Sequence, residues 1–155
     1  MVVKLPENFK ESNDIQVKEI NMVEISSVYT GKKHCEAKHQ PSQAILQTDA
    51  PKDNQGLGET FSPTDLVATA LGTCILTTVA IFAEKENISI VGATSKTEKV
   101  MTPPPRRIAS LKTVINFPKS IPEHFQKQIP EIASNCPVKK SLHPDVQIPI
   151  EINFV

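Results

Sequence analysis

A run of 18 consecutive residues without a charge, residues 66–83, is the feature that most constrains how this chain can fold. Ser62 and Pro63 precede it, and this pair is typical of a helix start, because a serine side chain accepts a hydrogen bond from a free amide and proline is tolerated in the first helical position. Asp65 adds a negative charge to the first turn, where the helix dipole favours it. The pattern predicts a helix that begins after Ser62 and ends near Glu86. Since this helix is apolar on nearly all sides, it needs cover on more than one side.

The length of this run also reaches that of a membrane-spanning helix. Four threonines, four alanines and a glycine dilute its apolar character, and a span here would place strands of one small domain on opposite sides of a bilayer. The sequence therefore favours a buried helix and no membrane partner. A sheet of five or six strands covers one side of such a helix, so a partner subunit is the expected source of the remaining cover.

The segments around the helix alternate in polarity as strands do, apart from one amphipathic stretch at residues 122–135 that predicts a second helix. The predicted strands are residues 15–28, 32–40, 44–50, 89–101, 107–117 and 145–155. The order βββαββαβ indicates an α+β fold with mostly antiparallel pairing. Because no repeat, linker or low-complexity segment interrupts it, residues 1–155 are predicted to form a single domain.

Charge and cysteine content narrow the partners and the compartment. Lysine plus arginine equals aspartate plus glutamate, at 17 each, and the basic residues are scattered, so we expect no nucleic acid to bind. The amino-terminal segment is interrupted by Lys4, Glu7 and Lys10, which is atypical of a signal peptide and favours a cytoplasmic location. Three cysteines do not make the even-numbered framework of a secreted disulfide domain, so each thiol is expected to be inert, catalytic or metal-bound.

Cys74 lies in the middle of the predicted long helix. Its neighbours four residues before and after, Ala70 and Thr78, are small, so its sulfur could lie at the floor of a narrow apolar recess large enough for a substrate. The alternative is that Cys74 only fills the core, as many free cysteines do. The helix alone leaves both interpretations open.

Cys136 stands where another helix is expected to begin. Asn135 is a good N-cap residue and Pro137 is tolerated in a first turn, so the thiol would face free amides, which favour a thiolate. Lys139 and Lys140 add positive charge one turn later. An ordinary capped turn with solvated lysines is the alternative interpretation.

Other candidate sites are weaker. His34, Cys35 and His39 are close in sequence, and His143 follows Cys136, but neither group has the paired short spacings of zinc motifs. We expect exposed histidines, a Cys35 that packs in its strand, and no metal. The glycines in residues 54–59 lack the continuation of a phosphate-binding loop, so no nucleotide is implied.

Four segments together are similar to the OsmC/Ohr superfamily, and in particular to its OsmC-like members: YTGKKHCEAKH, LQTDAP, SPTDLVATALGTC and NCPVKKSL. The resemblance covers roughly residues 28–155, and its specific signal is the order of the two cysteine motifs. It implies an intertwined homodimer in which antiparallel, strand-rich layers wrap two long central helices.

The resemblance also implies a thiol peroxidase that reduces organic hydroperoxides in defence against oxidative stress. Cys74 matches the peroxidatic cysteine, which becomes a sulfenic acid, and Cys136 matches the resolving cysteine, which condenses with it to a disulfide. A dithiol or a lipoylated protein is the implied reductant. The chemistry needs no metal, haem or flavin. Two rival functions are non-catalytic binding of a small ligand above Cys74 and redox sensing through the same disulfide.

One part of the family pattern is not matched. In the organic-hydroperoxide branch an acidic residue ten positions before the reactive cysteine pairs with an arginine from the amino-terminal strands. Here that position is Thr64, with Asp65 adjacent, and no arginine precedes Arg106. Arg106 and Arg107 follow a proline-rich turn and could supply the charge that lowers a thiol pKa. The alternative is that they form a solvated basic turn.

Overall fold

A computed structural model describes residues 22–155 of the chain, and it begins with a three-stranded antiparallel sheet. The strands are β1 (Ile25–Gly31), β2 (His34–His39) and β3 (Ile45–Asp49), paired in the order β1-β2-β3. The predicted start of the first strand, at residues 15–21, lies outside the described residues. The turn between β1 and β2 uses three consecutive residues with positive φ, at 101°, 50° and 68° for Gly31, Lys32 and Lys33.

The predicted long helix is confirmed as α1 (Pro63–Lys85). Its start is a reciprocal pair of hydrogen bonds: the Asp65 amide donates to Ser62 Oγ (3.2 Å), and the Ser62 amide donates to Asp65 Oδ2 (2.8 Å). Each bond satisfies an amide that a bare helix end would leave free. Glu86 is the C-cap, as expected from the sequence.

A second three-stranded sheet follows α1. Its strands are β4 (Thr94–Met101), β5 (Ile108–Phe117) and β6 (Ile150–Phe154), in the order β4-β5-β6. β4 and β5 are antiparallel, whereas β5 and β6 are parallel. Parallel strands need a crossover connection, and residues 118–149 provide it. The expected α+β class is therefore confirmed, with antiparallel pairing in all but one of the strand pairs.

The crossover contains three short helices: two replace the one helix predicted over residues 122–135, and the third begins after Cys136, where another helix was expected. They are α2 (Glu123–Gln126), α3 (Ile129–Ser134) and α4 (Pro137–Ser141). Pro130 explains the first break, because it has no amide to donate to the carbonyl of Gln126 and its ring clashes with that carbonyl in a continuous helix. The prediction of one continuous helix was wrong.

One face of α1 forms the core of the protomer. Its buried residues pack against the second sheet and against α3: Ala68, Leu71, Gly72, Ile75, Val79 and Ala83. A side chain at Gly72 would place its Cβ 2.8 Å from Ser95 Oγ and 3.3 Å from Thr97 Oγ1. The glycine thus allows α1 to approach β4 closely.

The opposite face of α1 is open among the described residues. Its exposed residues are Thr69, Thr73, Thr77 and Ile81. By length and composition alone α1 could cross a membrane, but the face that carries Leu71, Ile75 and Val79 is buried in the core. Residues 22–155 therefore cover the helix on one side, and cover of the remaining side by a partner subunit stays a prediction.

The first sheet packs mainly on itself rather than on α1. It leaves several large apolar side chains in solvent, namely Ile25, Val28, Tyr29, Ile45 and Leu46. Apolar surface on both the sheet and the helix, each without a partner among residues 22–155, is unusual for a domain of this size.

Candidate functional site

The structure brings the two motif cysteines together. Cys74 lies on α1 and is half-buried, and Cys136 lies at the start of α4 and is completely buried. The Cys74 side chain packs against the buried cluster that contains Cys136 and raises the pKa of the Cys136 thiol, and both are free thiols rather than a disulfide. Two segments that are remote in sequence therefore form one dithiol.

Thr78 is the other polar neighbour of Cys74. Its hydroxyl donates to the Cys74 carbonyl one helical turn earlier, at 2.7 Å, and its oxygen lies 4.0 Å from Cys74 Sγ. Because the hydroxyl hydrogen is already committed, the oxygen is free only to accept from the thiol. Cys74 can thus donate its proton toward Thr78.

The surroundings of Cys136 differ from the prediction in two ways. Asn135 is not its N-cap: Asn135 ends α3, with its side-chain amide donating to the Glu131 carbonyl at 3.1 Å, and Cys136 itself precedes the first residue of α4. The expectation that this position favours a thiolate is also wrong. Burial and the neighbouring Cys74 side chain raise the pKa of the Cys136 thiol, and these effects outweigh the backbone amides of Val138 and Lys139, which lower it.

The apolar recess predicted above Cys74 does not coincide with either of two grooves that border α1. A groove of about 940 Å³ lies along α1 on the side of Asp65, Thr69 and Gly72, and another of about 710 Å³ lies beyond Leu76. Cys74 lines neither. The recess stays a prediction, and any further walls would have to approach from the open side of α1.

A lysine that sequence reasoning missed lies at the start of α1. Lys99 Nζ donates to Asp65 Oδ1 (2.6 Å) and to Thr64 Oγ1 (2.7 Å) and lies 3.4 Å from Ser62 Oγ. Burial raises the pKa of Asp65, but hydrogen bonds from Lys99 and Ser62 together hold that pKa below its usual value. An acid–base pair therefore does stand at the helix start, formed by Asp65 and a lysine.

Burial alternates strictly along β4, although its sequence, TSKTEKVM, does not alternate in polarity. Every second residue from Ser95 to Met101 is partly buried, and the residues between them are exposed. Thr97 and Lys99 share the inner face, next to α1. A lysine on the inner face of a strand needs a partner, and this requirement identifies it as a candidate.

The two arginines proposed as activators are engaged elsewhere in the protomer. Arg106 donates to Asp53 Oδ2 at 2.7 Å, and Arg107 donates to Asp145 Oδ2 at 2.8 Å. Both pairs are substantially exposed, and neither includes Cys74. This arrangement agrees with the alternative interpretation of a solvated basic turn.

The histidines group differently from their order in sequence. His39 lies at the far end of β2 from His34, with its Nδ1 2.6 Å from Ser42 Oγ. His34 instead meets two acids from other segments: its Nε2 lies 3.1 Å from Glu59 Oε2 and 3.7 Å from Asp49 Oδ1. His34 is half-buried, whereas the prediction was that it is exposed. Cys35 is also half-buried and lies in its strand, as predicted.

Asp49 is the buried member of this group. The Glu59 amide donates to its Oδ2 at 2.9 Å, and this hydrogen bond is the main reason that the pKa of Asp49 lies below its usual value, against the opposing effect of burial. Local sequence spacing gives no sign of the group, because its members come from β2, β3 and the loop before α1.

Comparison with known proteins places this arrangement in a family. The family model described as OsmC-like protein matches residues 56–151. A structure from Psychrobacter arcticus 273-4, provisionally described as an osmotic stress induced and detoxification response protein, is 38% identical and covers 89% of this chain and 99% of its own, with a TM-score of 0.78. No curated protein matches the chain.

Two more distant structures share the fold. An OsmC like protein from Mycoplasma pneumoniae is 17% identical, covers 88% of this chain and 99% of its own, and has a TM-score of 0.73. An organic hydroperoxide resistance protein OsmC from Legionella pneumophila is 14% identical with the same coverages and a TM-score of 0.67. With a family match over more than half of its length, the chain belongs to the OsmC-like family.

Proposed function

We propose that this protein is a dimeric, cysteine-based peroxidase that reduces organic hydroperoxides. The observation that carries the proposal is the contact between the Cys74 and Cys136 thiols, on two separate helices of an OsmC-like fold. A dithiol of this kind can pass through one complete cycle of oxidation and reduction without a cofactor. The proposed location is the cytoplasm, where disulfides are kept reduced.

The proposed reaction begins at Cys74. Its thiolate attacks the distal oxygen of the hydroperoxide, the O–O bond breaks, and the alkoxide takes up a proton and leaves as an alcohol. Cys74 becomes a sulfenic acid. Cys136 then loses its proton and attacks the Cys74 sulfur, a disulfide forms, and the hydroxyl group leaves as water. A dithiol or a lipoylated protein returns the two electrons by thiol–disulfide exchange.

Burial and acidity support this division of roles. Cys74 is partly accessible, whereas Cys136 is completely buried and its pKa is raised. A peroxide arriving from solvent therefore meets Cys74 first, while Cys136 stays a thiol in contact with the sulfur that it has to attack. Access from solvent and the raised pKa of Cys136 together select Cys74 as the first sulfur in this scheme.

The homodimer is the second part of the proposal, and the open face of α1 supports it. Thr69, Thr73 and Thr77 form a stripe in which each hydroxyl donates to the carbonyl four residues earlier, at 3.0, 2.8 and 2.9 Å. With these donors satisfied, the stripe can be covered by another helix without leaving a buried hydroxyl hydrogen unpaired.

The first sheet supplies a matching surface. Its apolar residues include Ile25, Val28 and Tyr29, which are 64%, 56% and 65% exposed. We propose that two copies of α1 pack together through the threonine stripe and that each first sheet covers the partner's helix. A C2 arrangement would bury both surfaces at once.

The activity is tested by adding tert-butyl hydroperoxide to the reduced protein and following peroxide loss with dihydrolipoamide, dithiothreitol or no reductant. We expect turnover with a dithiol and consumption of about one equivalent without one. Cys35→Ser is the matched control, because Cys35 lies outside the dithiol, and it should keep wild-type turnover. Stoichiometric oxidation without turnover would support redox sensing instead, and no oxidation would support ligand binding.

Two further variants separate the roles of the cysteines. Cys136→Ser should consume one equivalent of peroxide, trap a sulfenic acid at Cys74 and over-oxidise with excess peroxide. Cys74→Ser should consume almost none. Peptide mapping of the oxidised wild type should find Cys74 joined to Cys136 within one subunit, and a disulfide involving Cys35 would contradict the proposal.

A further inference from the structure

We propose that His34, Asp49 and Glu59 form a binding site for one divalent transition-metal ion, with zinc as the expected metal. Their imidazole and carboxylate ligand atoms all lie within 4.8 Å of one another. This site is separate from the dithiol, and the proposal does not depend on peroxidase activity.

The first argument is an oxygen atom without a partner. Asp49 Oδ2 accepts a hydrogen bond from the Glu59 amide, but Asp49 Oδ1 has no hydrogen-bond partner among residues 22–155. The Asp49 side chain is 0% exposed, so ordinary solvent contact cannot satisfy this oxygen. A buried carboxylate oxygen left unpaired is costly, and it calls for a cation or a hydrogen-bond donor.

His34 cannot meet this need as a hydrogen-bond donor. Its Nε2 carries at most one hydrogen, and Glu59 Oε2 is the nearer acceptor at 3.1 Å. Asp49 Oδ1, at 3.7 Å from the same nitrogen, is beyond hydrogen-bonding distance. One N–H group therefore faces two carboxylates and can serve only one of them.

A metal ion meets the requirements of all three side chains, because each would present a lone pair to it. Zinc binds imidazole nitrogen and carboxylate oxygen at about 2.0–2.2 Å in tetrahedral geometry, which places neighbouring ligand atoms about 3.3–3.6 Å apart. The two distances from His34 Nε2, at 3.1 and 3.7 Å, lie on either side of this range. Two carboxylates and a neutral imidazole also balance the charge of a divalent ion.

The position of the ligands indicates a structural effect. His34 is in β2, Asp49 ends β3, and Glu59 lies in the loop that leads to α1. A bound ion would fasten that loop to the first sheet close to the start of α1. Three protein ligands leave a fourth position for water, on the side where Glu59 is 63% exposed.

The test is metal binding to reduced protein that has been stripped with a chelator. Zinc competition against a chromophoric chelator should give one ion per chain, and cobalt should give the visible absorption of a tetrahedral site without the intense near-ultraviolet bands of thiolate ligands. This second readout excludes binding by Cys35 or by the dithiol. Zinc should also raise the melting temperature.

Variants of the ligands complete the test. His34→Gln and Glu59→Gln should each weaken zinc binding at least about 10-fold, whereas His39→Gln, a histidine in the same strand, should leave binding unchanged. Asp49→Asn should weaken zinc binding in the same way. If this substitution of a buried residue prevents folding, His34→Gln and Glu59→Gln provide the test. Absence of zinc binding by the wild type, thiolate bands in the cobalt spectrum, or full affinity in His34→Gln and Glu59→Gln would each overturn the proposal.

Discussion

The Cys136 thiol is a neighbour of the Cys74 thiol, at a point where α4 begins against the middle of α1. Cys136 is completely buried and Cys74 is not. The contact therefore couples the acidity of the buried thiol to the identity of the residue at position 74.

The first prediction concerns this coupling. Burial is the larger cause of the raised pKa of Cys136, and the neighbouring Cys74 side chain is the next. In Cys74→Ala the second cause is absent, so the pKa of Cys136 should fall relative to that in the wild type. The pKa of Cys136 is measured from the ultraviolet absorbance of the thiolate as a function of pH. Both proteins carry Cys35→Ser, which removes the third thiol. An unchanged pKa of Cys136 would show that the two thiols do not interact.

The same raised pKa predicts a loss of stability at alkaline pH. The folded protein keeps the Cys136 proton to a higher pH than the unfolded chain does, so folding is favoured below the unfolded pKa and the benefit is lost as pH rises past it. The free energy of unfolding from urea titrations should therefore fall more steeply above about pH 9 in wild type than in Cys136→Ser. Equal slopes in the two proteins would contradict this assignment.

The third prediction concerns the ion pair at the start of α1. Because the pKa of Asp65 is depressed in the folded state, the resulting stability is present above the unfolded pKa and is lost as pH falls through the folded pKa. Lys99→Met should lower stability at neutral pH by about 1 kcal/mol, since Asp65 is partly exposed, and should weaken the dependence on acid pH. Lys96→Met is the matched control: Lys96 is a neighbouring lysine of β4 and forms an exposed pair with Glu98. Thermal unfolding over acid and neutral pH should separate the two variants.

The fourth prediction tests the dimer. A lysine in place of Thr73 would put a charge at the centre of the threonine stripe, where burial against another helix would strip its water. Wild type should be a dimer at micromolar concentration, and Thr73→Lys should shift it toward monomer in sedimentation velocity or light scattering. Ser141→Lys is a suitable control, because Ser141 is also exposed and also donates to a carbonyl four residues earlier. A monomeric wild type would remove the intertwined architecture from consideration.

Local signals were sufficient for part of this molecule. Ser62, Pro63 and the uncharged run that follows specified both ends of α1, because capping and apolar continuity act over neighbouring residues. The order of the two cysteine motifs was specific enough to indicate the family. Asn135 was misassigned because its side chain suits either end of a helix, and only the path of α3 decides between them.

The remaining features depend on contacts between distant segments. Lys99 could not be recognised from the sequence of β4, because polar residues occupy both faces of that strand and its partner Asp65 lies 34 residues away. The group formed by His34, Asp49 and Glu59 joins three segments, so no spacing motif could indicate it. The break in the second helix was readable from Pro130, and the amphipathic pattern of the segment outweighed that signal.

The first sheet has a consequence for how the protein reaches its native state. Among the described residues it packs mainly on itself rather than on a helix and exposes Ile25, Val28 and Tyr29, so residues 22–155 do not supply the surface that would complete this layer. If a second copy supplies that surface, the last step of refolding is bimolecular, and its rate rises with protein concentration. Dilution would then act on this protein as a denaturant does.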